Sequence, residues 1–297
     1  MLLAYTFSEY VAQIVAGLGS GAVLFLVASG LTLIFGALRV INFAHGALYL
    51  LGAYLTISIT PLIGFGNGTF WIISILAALS VAGCSVILEV GFFRPIYRRP
   101  LLTQLLVTFA FVLILAGIFR NFWNPTVTST PTPPFLNGGV DILGSRIPAY
   151  QFFWMGLAVA VGIALWALLY KTGLGRMIRA AVSDPELLNL SGVNVRLLFT
   201  GVFAIGAFFA GLAGSVTTFQ GSIEPGAGID AIIRAFVIVV IGGLGSLSGA
   251  FIASMIVGVA EALGGFWVPQ ASLAIVFAVL VIVLAIRPQG LRGAATE

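Results

Sequence analysis

Charge is what this chain has least of. Of 297 residues, 13 are Lys or Arg and 9 are Asp or Glu, so charged side chains make up 7%, against about 25% in a soluble domain. That scarcity excludes a surface facing water on most sides. The only lysine, Lys171, follows Tyr170, so no Gly-x-x-x-x-Gly-Lys-Ser/Thr phosphate loop can be built. A single cysteine, Cys84, excludes an intrachain disulfide and a thiolate metal cluster. A single histidine, His45, and the lack of Gly-x-Ser-x-Gly leave no nucleophile–base constellation. No cluster of His, Cys or carboxylates has metal-ligand spacing. The first ten residues carry no Lys or Arg ahead of the apolar run, which argues against a cleaved signal peptide. An enzyme is a poor reading of this chain.

Hydrophobic residues make up 60% of the chain, and the mean hydropathy is +1.17. Runs such as Val11 to Phe35 and Phe152 to Tyr170 contain no Asp, Glu, Lys or Arg. As helices they are long enough to cross a hydrocarbon core of about 30 Å. The expected fold is an all-α, polytopic membrane helix bundle. It has about eight spanning helices plus an interrupted or re-entrant segment, with residues 1–297 forming a single transmembrane domain. Charges and helix breakers punctuate helices near 10–36, 46–62, 70–92, 101–120, 151–170 and 198–219, a broken region near 231–266, and a last helix near 271–286. Ala231 to Ile241 is only about eleven residues, too short to cross at 1.5 Å per residue. Such a segment is tolerated where protein or a water-filled path covers its free backbone groups.

The basic residues sit at segment ends and report orientation, not a nucleic-acid partner. Arg94, Arg98 and Arg99 share one loop; Lys171, Arg176, Arg179 and Arg196 share another; Arg287 and Arg292 lie in the tail. Helix counting puts all three places on one side, which the positive-inside rule makes cytoplasmic. The amino terminus then lies outside, if the Gly36–Ala44 break follows a full crossing. The expected location is the plasma (inner) membrane.

Two loops stand out. The outer stretch, about 121–149, is rich in Pro, Thr and Gly, with Pro131, Pro133 and Pro134 close together. It reads either as a proline-stiffened surface loop or as a docking surface for an external partner. The inner loop, about 171–197, contains Ser183-Asp184-Pro185-Glu186, a capping residue and a proline for a first helical turn. Leu187, Leu188 and Leu190 follow, and Gly192 can end the element with a left-handed residue. The result is an amphipathic helix of two turns or fewer, either a solvated connector or a piece that docks into a groove on a soluble partner.

The ends of the chain echo each other. Ile34-Phe35-Gly36-Ala37-Leu38 leads to His45-Gly46-Ala47, and Val240-Ile241-Gly242-Gly243-Leu244 leads to Ser248-Gly249-Ala250. Each is an apolar helix, a glycine break and a helix resuming at Gly-Ala. Transporters carry repeats of this kind, with the breaks near the substrate path. Ionisable groups within spans are expensive, so those present face a path or a partner. Arg39, Asn42, His45 and Gly46 at the first break are candidates, as are Arg234, Gly242, Gly243 and Gly245 at the second, and Glu261. Glu89, five residues from Arg94, reads as locally paired. Asp230 and Arg234, spaced i,i+4, would pair on one helix face. Arg39 can snorkel to headgroups, and Asn42 and His45 can satisfy backbone groups released at the break. Glu261 needs a partner, as substrate ligand or helix staple. Gly201, Gly206, Gly211 and Gly214 place small residues along one helix for close packing.

Longer strings carry a family resemblance. Gly30-Leu31-Thr32-Leu33-Ile34-Phe35-Gly36, continuing through Arg39-Val40-Ile41-Asn42-Phe43-Ala44-His45-Gly46 to Leu51-Gly52-Ala53-Tyr54, resembles branched-chain amino acid ABC transporter permeases of the LivH type. So do Gly173-Leu174-Gly175-Arg176-Met177-Ile178-Arg179-Ala180 leading to Asp184-Pro185-Glu186 and Gly192-Val193-Asn194, and Ala210-Gly211-Leu212-Ala213-Gly214. Gly242-Gly243-Leu244-Gly245-Ser246 and the tail Arg287-Pro288-Gln289-Gly290-Leu291 complete the match. The resemblance implies an importer in which this chain works beside a LivM-like second permease, two cytoplasmic ATPase subunits and an external substrate-binding protein. Cofactors would be none in this chain, with ATP and Mg in the partner subunits. It also implies that Arg176, Arg179, Asp184, Pro185, Glu186 and Gly192 belong to the segment that couples to an ATPase. Two departures are Ala47, where many relatives carry an acidic residue, and Ser248, where many carry proline and whose presence softens the second break. The expected substrate is a branched-chain or other neutral amino acid. The alternatives are a urea, short-amide or other small-solute importer, an ATP-independent secondary transporter or channel, and a membrane scaffold.

Overall fold

In hydrocarbon every backbone N–H and C=O must be satisfied within the chain, so an apolar run long enough to cross folds as a helix. The computed structural model describes residues 6–64, 66–97, 99–123, 130–219 and 221–293. Arg98 and the 124–129 part of the outer loop lie outside the described residues. The helices are α1 (Phe7–Leu38), α2 (Ala44–Ile63), α3 (Asn67–Leu88), α4 (Leu101–Trp123), α5 (Ala149–Lys171), α6 (Gly173–Ser183), α7 (Pro185–Leu190), α8 (Val195–Thr218), α9 (Ala227–Gly242), α10 (Leu247–Trp267) and α11 (Ser272–Ile286). A π turn, Glu89–Phe93, and a 3-10 turn, Arg94–Ile96, extend α3.

Among the described residues, eight helices are long and apolar enough to cross a membrane: α1 to α5, α8, α10, and α11 with the turn before it. α9, buried among them, is not one of the eight. Its 16 residues reach only about 24 Å at 1.5 Å per residue. It starts four residues earlier than the expected 231, because Asp230 and the glycines before it are accommodated in its first turn.

A buried centre and an exposed apolar rim separate cleanly. The most apolar window of α1 is 78% buried, while that of α11 is 6% buried, so α1 is the axis and α11 a peripheral helix. α1 packs on α10, α8, α5 and α9; α2 packs on α8, α3 and α9. Small residues set these approaches: a Cβ at Gly17 would lie 2.6 Å from Val259 Cα, and one at Gly52 would lie 2.6 Å from Gly211 Cα. The four α8 glycines do not share one packing face. Gly206 meets Gly30 and Ile34 of α1, Gly211 meets Ala78 and Val81 of α3, and Gly214 meets Tyr49 and Ala53 of α2. Gly201 faces open space. The 3.6-residue helical period spreads glycines five or three apart over several faces.

The contacts sort the connections into two ends. Tyr10 of α1 stacks near Phe266 and Trp267 of α10, and Thr130 donates to the Thr218 carbonyl at the end of α8. The end of α4 joins that of α2 through Trp123 Nε1, which donates to Ser58 Oγ at 2.7 Å. The outer loop therefore belongs to this end. It carries a hairpin the sequence did not announce, β1 (Gly139–Ile142) antiparallel to β2 (Ser145–Pro148). The opposite end gathers the first break, the end of α3, α6, the second break and the tail.

Candidate translocation and coupling site

The first break follows from one left-handed residue. Arg39 has φ 54° and donates its N–H to the Phe35 carbonyl at 2.8 Å, closing α1. Its side chain is exposed, as snorkelling requires. Asn42 is buried, and neither polar atom of its side chain has a partner among the described residues. His45 is fully buried, with Nε2 3.1 Å from the Val27 carbonyl. A carbonyl only accepts, so Nε2 carries a proton, and Nδ1 has no partner among the described residues. Val27 sits well inside α1. His45 therefore fastens α2 to α1 and does not cap groups released at the break. Gly46 meets α9, where a Cβ would lie 2.7 Å from Ile232 Cβ.

The second break runs from Gly242 to Ser246, with φ 97° at Gly243 and 82° at Gly245. Ser246 restarts the helix by accepting from the Gly249 N–H at 3.1 Å. The tail then closes over the break. Leu291 N–H donates to the Ile241 carbonyl at 2.8 Å and Arg292 N–H to the Gly242 carbonyl at 3.1 Å, so two carbonyls at the end of α9 are satisfied from elsewhere in the chain. Arg292 also donates to Ser248 Oγ at 3.1 Å. Ser248 thus gives the tail a polar hold on the break instead of simply loosening it. The last turn of α1 touches the second break: a Cβ on Gly36 would lie 3.2 Å from Gly245 Cα.

Beside them lies the inner loop, which forms two helices, not one. Thr172 caps α6, accepting from the Gly175 N–H at 3.1 Å. Ile178 and Ala181 bury the apolar side of α6, while Arg176 and Arg179 are exposed. The cap of α7 is Asp184, one residue later than the serine, with Oδ1 accepting from Glu186 N at 3.0 Å and Leu187 N at 2.9 Å. Pro185 occupies the first turn, and Gly192, at φ 87°, lies just beyond the end. Val195 to Leu197, the end of the expected loop, already belong to α8. Asp184, Pro185, Glu186 and Gly192 are all exposed, and so are Leu187 and Leu190, at 61% and 85%. Arg179 turns back on α5, donating to the Leu169 carbonyl with its guanidinium 5.2 Å over the Tyr170 ring. A hollow of about 220 Å³ joins Ile178 and Arg179 of α6 to Gly36 of α1 and Gly245 of the second break.

Among the described residues there are two ion pairs, Glu89–Arg94 at the end of α3 and Arg234–Glu261 between α9 and α10. Glu89 is fully buried and receives Arg94 Nε at 3.1 Å, Arg94 Nη2 at 2.8 Å, Tyr97 Oη at 3.2 Å and Thr200 Oγ1 at 2.8 Å. The π turn sets Arg94 back over Glu89, and burial, then the nearby carboxylate, holds the Tyr97 hydroxyl well above the ordinary tyrosine pKa. The expected local pair is present, with Thr200 of α8 as a partner that spacing alone could not supply. Arg234 is different. It pairs across helices with Glu261, Nη2 to Oε1 at 3.0 Å, and not with Asp230 on its own helix. The pair lines an open hollow of about 350 Å³ with Ser20, Val23, Leu24, Gly258 and Ala262.

The family model described as branched-chain amino acid transport system / permease component matches residues 13–284. The chain belongs to this family. It is 30% identical to the high-affinity branched-chain amino acid transport system permease protein BraD of Pseudomonas aeruginosa, over 96% of each chain. To the corresponding LivH of Salmonella typhimurium it is 31% identical, over 97% of this chain and 96% of that one. The probable LivH of Methanocaldococcus jannaschii is 28% identical over 91% and 88%. No solved structure matches the chain. In the terms of this family, the chain is a multi-pass membrane permease component.

Proposed function

We propose that this chain is the permease subunit of an ATP-driven importer for branched-chain or other neutral amino acids. In this reading residues 1–297 form one transmembrane unit beside a LivM-like second permease. Two cytoplasmic ATPase subunits hydrolyse ATP with Mg, and an external binding protein delivers the solute. The chain itself does no covalent chemistry.

The observation that carries the reading is the placement of α6 and α7. A capped two-helix element projects exposed leucines at the end of the bundle where the last turn of α1 meets the second glycine break. An ATPase gripping Leu187 and Leu190 would push on α6, and α6 borders that junction through the hollow it shares with Gly36 and Gly245. Nine of the described basic residues, namely Arg39, Arg94, Arg99, Lys171, Arg176, Arg179, Arg196, Arg287 and Arg292, lie at this end or its loops. The positive-inside rule makes that end cytoplasmic, with the amino terminus and the β1–β2 hairpin outside.

The path would run past Asn42, His45 and Gly46 at one break and Gly242, Gly243 and Gly245 at the other, with Arg39 at the inner mouth and Arg234 and Glu261 deeper in. Leu190→Asp tests the coupling role, because Leu190 is exposed and its replacement costs the isolated fold little. The expected result is a chain that inserts normally but no longer retains the ATPases on purification. Full retention would remove α7 from the coupling role.

A further inference from the structure

The Arg234–Glu261 pair is only half satisfied. Arg234 places both Nε and Nη2 on the same carboxylate oxygen, Glu261 Oε1, at 3.1 and 3.0 Å. Among the described residues, Glu261 Oε2 and Arg234 Nη1 have no hydrogen-bond partner. Glu89 offers the contrast within the same molecule, being enclosed and bonded by three side chains. Arg234 and Glu261 remain 25% and 20% exposed on the wall of the 350 Å³ hollow, a volume in the range of small-molecule sites.

Depth makes this exposure informative. Arg234 is mid-way along α9 and Glu261 is six residues from the end of α10. A charged pair facing hydrocarbon there is costly, so ionisable groups at such positions face a water-filled path or a protein partner. The α1–α10 wall behind the pair is fixed by backbone contact, since a Cβ on Gly21 would lie 2.5 Å from the Ser254 carbonyl oxygen. The pair therefore lines the hollow against a closely packed wall, together with the apolar Val23 and Leu24 and with Ser20.

We propose that Arg234 and Glu261 form a transient binding site for the zwitterionic head of an α-amino acid. The substrate carboxylate takes the guanidinium while its ammonium takes the Glu261 carboxylate, and Val23 and Leu24 face the aliphatic side chain. One ion pair opens and two form, with no change in net charge, so neither protein charge is left uncompensated. When the solute leaves, the pair recloses, which keeps the site weak enough to release. An uncharged solute cannot satisfy both ends, nor can one carrying only the cation or only the anion. This inference rests on the permease reading and goes beyond it by assigning the two residues that take the charged ends of the solute.

The test is ATP-dependent uptake of radiolabelled leucine by the assembled complex in proteoliposomes, comparing wild type with Arg234→Met/Glu261→Met. Removing both charges leaves no unpaired ion. A double variant that assembles but takes up leucine at least tenfold more slowly, at equal occupancy of the binding protein, supports the site. Uptake within twofold of wild type overturns it and makes the pair a helix staple. If the double variant does not assemble, Glu261→Gln, which keeps the shape and one acceptor, decides by the same criterion. Excess unlabelled leucinamide or isocaproate, each with half of the zwitterion, should compete poorly from the cytoplasmic side. Competition equal to that of leucine would also overturn the proposal. A wild-type complex that shows no ATP-dependent leucine uptake would refute the underlying permease reading instead, a separate outcome.

Discussion

Gly36 and Gly245 lie against each other, so close that a Cβ on the first would come within 3.2 Å of the second's Cα. Gly36 lies in the last turn of α1 and Gly245 in the second break, more than two hundred residues apart in the chain. Their contact makes the ends of α1 and α9 one mechanical junction, bordered by α6 and closed by the tail.

The junction should be intolerant of side chains at Gly243. Its φ of 97° is left-handed territory, and a Cβ there would lie 2.7 Å from Gly293 Cα in the tail. Gly243→Val therefore adds backbone strain of about 1–2 kcal/mol to a steric conflict that can be relieved only by lifting the tail. Uptake should be lost and the thermal midpoint of the purified chain should fall. Gly201→Ala, whose Cβ meets nothing, is the matched control and should behave as wild type.

Breaking the Glu89 cluster should be costly. Removing one partner of a buried pair costs roughly 3–5 kcal/mol, and because Arg94 is 32% exposed the loss for Glu89→Ala should sit at the low end. Glu89→Met/Arg94→Met should recover much of it, since no charge is then stranded. Thermal unfolding in detergent checks both. Equal destabilisation by the single and double variants would mean that packing around Glu89, not charge, holds α3 to α8.

The helical class of this fold was legible because hydrocarbon leaves so few alternatives. Eight spans and one short α9 follow from run length alone. What was not legible is whatever depends on helices meeting. Arg234 had an acidic neighbour at i−4, and only the packing of α9 on α10 brings Glu261 closer to its guanidinium. Thr200 gives no sequence sign of reaching Glu89. The tail's bonds to Ile241 and Gly242 could have been suspected only from a Gly-rich break with unsatisfied carbonyls. Ser183 and Asp184 are both good caps, and Pro185 favours Asp184 because proline is preorganised for the first helical position. α6 leaves little mark in the sequence because it opens with Gly173 and Gly175, poor helix formers. In fact Gly175 lets the helix begin against the last carbonyls of α5.

Asp184 separates capping from charge. Its Oδ1 holds two backbone N–H groups, and an N-cap is worth about 1 kcal/mol, enough to fray a helix of six residues. Asp184→Ala should insert normally and lose most solute-stimulated ATPase activity, whereas Asp184→Asn, which keeps the acceptor, should retain it. If both lose activity alike, the carboxylate charge contacts the ATPase directly.

Close packing of α2 on α8 gives a further outcome. A Cβ at Gly52 would lie 2.6 Å from Gly211 Cα, so Gly52→Val should push the helices apart and lower the thermal midpoint by several degrees. A midpoint equal to that of wild type would mean that this contact opens without cost.

The most direct test of the importer reading is leucine uptake into proteoliposomes holding this chain with its second permease and ATPases, with binding protein outside and ATP trapped within. Uptake that requires both binding protein and hydrolysable ATP, and that disappears with Leu190→Asp, is the predicted result. Leucine uptake by this chain alone, without ATP, would contradict the reading and make it a secondary transporter or channel.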